Sequence, residues 1–123
     1  MAIPARDILT SQDLDTFPED GNRYEILEGE LLTSPAPFLR HQSIVANLTI
    51  LIGNLIKGGR LKGKVFPAPV KVVLSNFTRF EPDVLFVSEK NAPILKRDGI
   101  YGAPDLVIAI PGLTLPVADV FLP

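Results

Sequence analysis

The chain has 123 residues, 46% of them apolar and 21% charged, with a formal net charge of -2 and neither cysteine nor tryptophan. A chain of this length buries roughly two-thirds of the surface its unfolded form exposes, so one core of useful size is feasible, and without cysteine it forms without disulfides, thiolate zinc clusters or a thiolate nucleophile. No stretch approaches the ~20 apolar residues of a membrane span, and the start lacks a basic segment followed by an apolar run, so the expectation is a cytoplasmic protein with no membrane partner.

Thr10 or Ser11 is placed to cap a short helix running to about Thr16, because a hydroxyl there accepts from the free amides of the first turn and acids follow. Pro18 and Asp20-Gly21 end it. Residues 23–28 and 30–33 flank Glu28-Gly29 and read as a β-hairpin whose glycine supplies a positive φ. Ser34-Pro35-Ala36-Pro37 is a stiff connector. From about Leu39 to Lys57, Ile44, Val45, Leu48, Leu51, Ile52, Leu55 and Ile56 recur at the spacing of one helical face, and Gly58-Gly59 stops the helix.

Three strands are expected next, at 64–66, 69–74 and 82–87, with a turn at Ser75-Asn76. Val84-Leu85-Phe86-Val87 contains no polar residue, the pattern of a strand buried on both faces. A looser stretch over 88–102 leads to a second strand of this kind at 105–110. Pattern alone gives an α/β chain with a mixed sheet and one long helix.

Charge is unevenly distributed. Residues 1–30 sum to -6; residues 31–80 contain no acid and sum to +7; residues 81–123 sum to -3, with nothing basic after Arg97. Lys57, Arg60, Lys62 and Lys64 are candidate nucleic-acid contacts, since a basic stretch suits a phosphate backbone. The alternative is that acidic and basic segments lie side by side and cancel, with strand lysines serving as edge protection.

Two Pro-Asp pairs each open an apolar run, Pro82-Asp83 and Pro104-Asp105. A carboxylate at the mouth of a buried strand is well placed to hold a hard cation, or else to bind nearby backbone amides.

Taken in order, Arg23-Tyr24-Glu25-Ile26-Leu27-Glu28-Gly29-Glu30-Leu31, then His41 opening the long helix, then Glu81-Pro82-Asp83-Val84-Leu85-Phe86-Val87, then Gly102-Ala103-Pro104-Asp105-Leu106-Val107-Ile108 resemble the Uma family of restriction endonucleases, a branch of the PD-(D/E)XK nuclease superfamily. The resemblance spans about residues 8 to 108. It implies a restriction-endonuclease-like mixed β-sheet flanked by helices, DNA as partner, and Mg²⁺-dependent hydrolysis of phosphodiesters. Asp83 maps onto the metal-binding aspartate. His41 stands where the family has a histidine, facing the cleft or exposed in the first helical turn. Glu25 is either an outer carboxylate of the metal site or, sharing a strand face with Arg23 and Leu27, half of a surface salt bridge.

The chain departs from that pattern where chemistry would need it most. The family's glutamate, four residues after the second aspartate, is Ala109 here, and the lysine that would follow is missing. Carboxylates hold the metal that polarises the phosphate, and the lysine supports the attacking water, so the resemblance implies an inactive chain. Residues 109–123 form a charge-poor, divergent end, read as the mark of either a truncation or a shifted reading frame, and the single domain 1–123 is expected to be incomplete at its C-terminus. An uncovered apolar edge of that kind predicts self-association. The alternatives are a non-catalytic nucleic-acid-binding or assembly module, and a gene fragment without function.

Overall fold

The structure is a computed structural model that describes residues 8–35 and 38–110. The chain contributes alternately to two compact units, one from residues 1–36, 69–81 and 93–103, the other from residues 37–68, 82–92 and 104–123.

The first unit opens with α1 (Ser11–Leu14), whose N-cap is a reciprocal box: the Thr10 hydroxyl accepts from the Asp13 amide and the Asp13 carboxylate accepts from the Thr10 amide. The helix is shorter than expected because Asp15 and Thr16 already form the turn that leads out of it. β1 (Arg23–Leu27) and β2 (Glu30–Ser34) pair antiparallel across Glu28-Gly29. Both loop residues have positive φ, 49° and 85°, the conformation of a two-residue hairpin turn whose twist matches the strands. Ile26 packs with Leu9, Leu14 and Phe17, and the Tyr24 ring meets Phe17 edge-on at 5.0 Å.

β4 (Val72–Ser75), β5 (Thr78–Phe80), β7 (Leu95–Lys96) and β8 (Gly99–Tyr101) extend this hairpin into a six-stranded mixed sheet of order β2-β1-β5-β4-β8-β7. Only β4 and β8 run parallel.

The second unit holds α2 (Leu39–Lys57) and an antiparallel sheet of order β3-β6-β9, formed by β3 (Gly63–Pro67), β6 (Val84–Ser88) and β9 (Leu106–Ile108). Val45, Leu48, Ile52 and Ile56 form the stripe of α2 that packs with Val65, Val84, Phe86 and Ile108. The stripe is narrower than the sequence suggested, for Leu51 remains 58% exposed. The end of α2 is closed by Gly59 at φ 79°, with the Arg60 amide donating to the Leu55 carbonyl and the Gly59 amide to the Ile56 carbonyl. This left-handed cap satisfies carbonyls of the last turn.

Several expectations need correction. The strands divide between two sheets rather than forming one. Strand 69–74 begins only at Val72, and 82–87 only at Val84, because a proline at the head of each run has no amide to donate to a ladder. The loose stretch 88–102 carries a 3₁₀ helix (Glu89–Ile94) and the short strands β7 and β8. β6 is buried from Val84 to Val87, as its composition implied. β9 is not its equal: among the described residues it pairs on one side only, and Leu106 is 46% and Val107 45% exposed. No helix among the described residues is long and apolar enough to cross a membrane.

Candidate functional site

Within the second unit, β6 and β9 run antiparallel, with Val84 opposite Ile108 and Phe86 opposite Leu106. Each strand is preceded by its Pro-Asp pair, and the two aspartates make matching contacts. The Asp83 amide donates to the Ile108 carbonyl (3.0 Å), and its Oδ2 accepts from the Ile110 amide (2.6 Å). The Asp105 amide donates to the Phe86 carbonyl (3.0 Å), and its Oδ2 accepts from the Ser88 amide (2.6 Å). Adding 22 to the numbers of the β6 groups in these contacts gives those of β9, so a local two-fold relation connects residues 82–88 with 104–110. Each aspartate holds the amide at the far end of the partner strand, and the pair forms a reciprocal clasp.

The two carboxylates differ in setting. Asp83 is 3% exposed, one of two buried charged residues among those described, the other being Asp13. Its Oδ1 faces His41 Nε2 at 3.2 Å, and its backbone carbonyl accepts from the Ala68 amide. Asp105 is exposed, and its carboxyl is held below the usual aspartate range chiefly by the Ser88 amide.

His41 therefore lies against the aspartate and not free in solvent. α2 brings it there: it is in the first turn, while the stripe Val45 and Ile52 anchors the same helix over β6. Its other ring nitrogen, Nδ1, lies 3.1 Å from Gln42 Oε1, a neighbour the sequence did not single out. An amide oxygen there accepts from Nδ1–H, and the amide turned over donates to a bare Nδ1, so Gln42 serves either form of the ring.

Glu25 belongs to the first unit. Its Oε2 accepts from the Glu81 amide at 2.7 Å, and Arg23 Nε is 3.9 Å from Glu81 Oε2, so Glu81 joins the Arg23 and Glu25 strand face. A β-strand face brought Arg23 and Glu25 together in sequence reasoning; the third partner came from a segment 56 residues away.

A magnesium ion demands near-octahedral oxygen ligation, commonly one or two carboxylates together with waters and phosphate. The residues present do not fit that demand. Both Asp83 oxygens already have partners, Ala109 offers a methyl group at the position of the second carboxylate, and no group of three His, Asp or Glu side chains among the described residues is arranged to hold a metal. The chemistry legible instead is structural: a carboxylate closing a strand end, braced by an imidazole.

Lys57, Arg60, Lys62 and Lys64 are all exposed and lie in the second unit around the end of α2 and the start of β3. The divergent end expected from 109 falls mostly on residues 111–123, which lie outside the described residues.

The second unit is thus an apolar strand pair closed by the clasp, with a histidine of the long helix against its buried aspartate. The family model Uma2, described as "Putative restriction endonuclease", matches residues 11–111, and the chain belongs to that family, within the PD-(D/E)XK-like nuclease superfamily. The fold is similar to a crystal structure described as "a putative nuclease belonging to DUF820" from Anabaena variabilis ATCC 29413, with a TM-score of 0.66 at 21% sequence identity. That similarity covers 91% of this chain and 63% of the other, so the chain spans less than two-thirds of the length of that protein. No curated protein matches the sequence.

Proposed function

We propose that this chain is a nucleic-acid-binding member of the Uma2 family that does not hydrolyse phosphodiesters. The observation that carries this reading is the state of the Asp83 carboxylate, closed on one oxygen by His41 and on the other by the Ile110 amide, with Ala109 as the neighbouring residue on the second strand. Hydrolysis by this superfamily needs a metal to polarise the phosphate and to lower the pKa of a bound water, and among the described residues no second carboxylate joins Asp83 to hold one. A metal on Oδ2 would compete with the half-buried Ile110 amide for the same oxygen. DNA remains the partner implied by the family and suited to the acid-free stretch 31–80.

The test is nicking of supercoiled plasmid in MgCl₂ and in MnCl₂, comparing the chain with Asp83→Ala. The expected result is the same background with both proteins. Nicking by the parent that disappears in Asp83→Ala overturns the reading.

A further inference from the structure

We infer that the end of the second unit remote from the His41–Asp83 contact is a docking surface for the sugar-phosphate backbone of duplex DNA, formed by Lys57, Arg60, Lys62, Lys64 and Lys90. The inference takes its choice of partner from the reading above and adds the place on this chain where phosphates are met.

Four separate pieces of local structure bring these cations to one end. Lys57 is the last residue of α2. The left-handed cap at Gly59 folds Arg60 back so that its amide meets the Leu55 carbonyl, which holds its backbone beside the helix end. The Lys62 carbonyl accepts from the Glu89 amide, tying Lys62 to the start of the 3₁₀ helix that carries Lys90. Gly63 then pairs with Ser88 and Lys64 with Val87, the C-terminal end of β6.

The site lies well away from Asp83. Asp83 is five residues before Ser88, about 17 Å along an extended strand. His41 is sixteen residues before Lys57, about 24 Å along a helix. A phosphate seated on the cations is therefore not the one that would lie at the aspartate.

The charges are available. All five side chains belong to exposed residues, and none of the five makes an ion pair among the described residues. Two acids share this end, Glu89 and Asp105, and Asp105 is engaged by the Ser88 amide. Leu61, within the basic run, packs into the core under α2, so the run itself presents no apolar anchor of the kind a membrane-docking face carries. Val65 packs under α2 as well, so strand alternation puts Lys64 on the opposite side of β3 from the helix that carries Lys57. Cations on both sides of a strand end suit a ridged, curved polyanion better than a flat charged sheet.

The experiment is fluorescence anisotropy of a labelled mixed-sequence duplex of about 20 base pairs in EDTA, titrated with the full chain at several NaCl concentrations; EDTA makes it blind to hydrolysis, so its failure and that of the non-hydrolytic reading are distinguishable. Four to five phosphate contacts predict a slope of log affinity against log salt of about -3.6 to -4.5. Lys62→Glu/Lys64→Glu should weaken binding at least about tenfold and make the slope shallower by about 2. The charge-matched pair Lys96→Glu/Arg97→Glu, in the other unit, should change affinity less than about twofold. Equal loss with both pairs, no binding at low salt, or binding to anionic phosphatidylserine vesicles but not to the duplex overturns the inference. Far-UV circular dichroism of both variants confirms that exposed charge reversals leave the fold intact.

Discussion

Asp83 and Asp105 occupy matching positions in the clasp, yet burial gives them unequal weight. Replacing Asp83 by alanine leaves the Ile110 amide and the His41 imidazole without their acceptor in a site only 3% exposed. Loss of charge-assisted hydrogen bonds in such a place costs about 1.5–3 kcal/mol. Asp105 is in solvent, so its removal should matter less, and it carries a pH signature. Its carboxyl is held below the ordinary value by the Ser88 amide, so its contribution is present above an unfolded pKa of about 3.9 and fades as pH falls through the lower folded value. Thermal melts should therefore show Asp105→Ala less stable than the parent at neutral pH, with the gap closing in strongly acidic buffer and smaller throughout than that of Asp83→Ala at neutral pH. A gap that is unchanged down to about pH 2 contradicts this account. Sequence pattern identified both aspartates as special and left open a metal or backbone amides as the partner. That choice was not readable there, because the amide each one holds lies on another strand and is fixed only by the register of β6 with β9.

At the scale of elements, the hairpin and α2 were legible for opposite reasons. Glu28-Gly29 is a local turn signal whose geometry two residues decide, whereas α2 declares itself through a repeat sustained over many turns. β5, β7 and β8 are two or three residues long, too short for alternation to register, and they exist through pairing with neighbours already in place. β9 shows the limit of composition: its residues are as apolar as those of β6, but among the described residues it has a strand on one side only. Its half-exposed Leu106 and Val107 form an edge that invites pairing with another chain. Placing a charge on that edge, as Val107→Lys, should lower self-association relative to the parent at equal concentration, read by light scattering. Equal scattering from the two proteins argues that association, if any, uses another surface.

The whole molecule is organised by alternation of the chain between its two units. Among the described residues the chain passes from one to the other at 68/69, 81/82, 92/93 and 103/104, and at each point the residue after the break is a proline. A proline offers no amide to a ladder, so at 68/69, 81/82 and 103/104 it stands where one strand has ended and the next has not begun, whereas Pro93 lies inside the 3₁₀ helix Glu89–Ile94. Twelve prolines in the composition gave no hint that these were the ones to mark the seams. The arrangement makes a sharp prediction for residues 1–81 alone. That piece keeps β3 and α2 but loses β6, the middle strand of their sheet, and loses β7 and β8 from the other. It should show no sigmoidal thermal transition where the full chain does, and a cooperative melt of the piece would refute the interdependence. The proline seams also bear on ancestry. Because each unit is encoded in alternating stretches, no single exchange between genes transfers one without pieces of the other, and the two are inherited together or not at all.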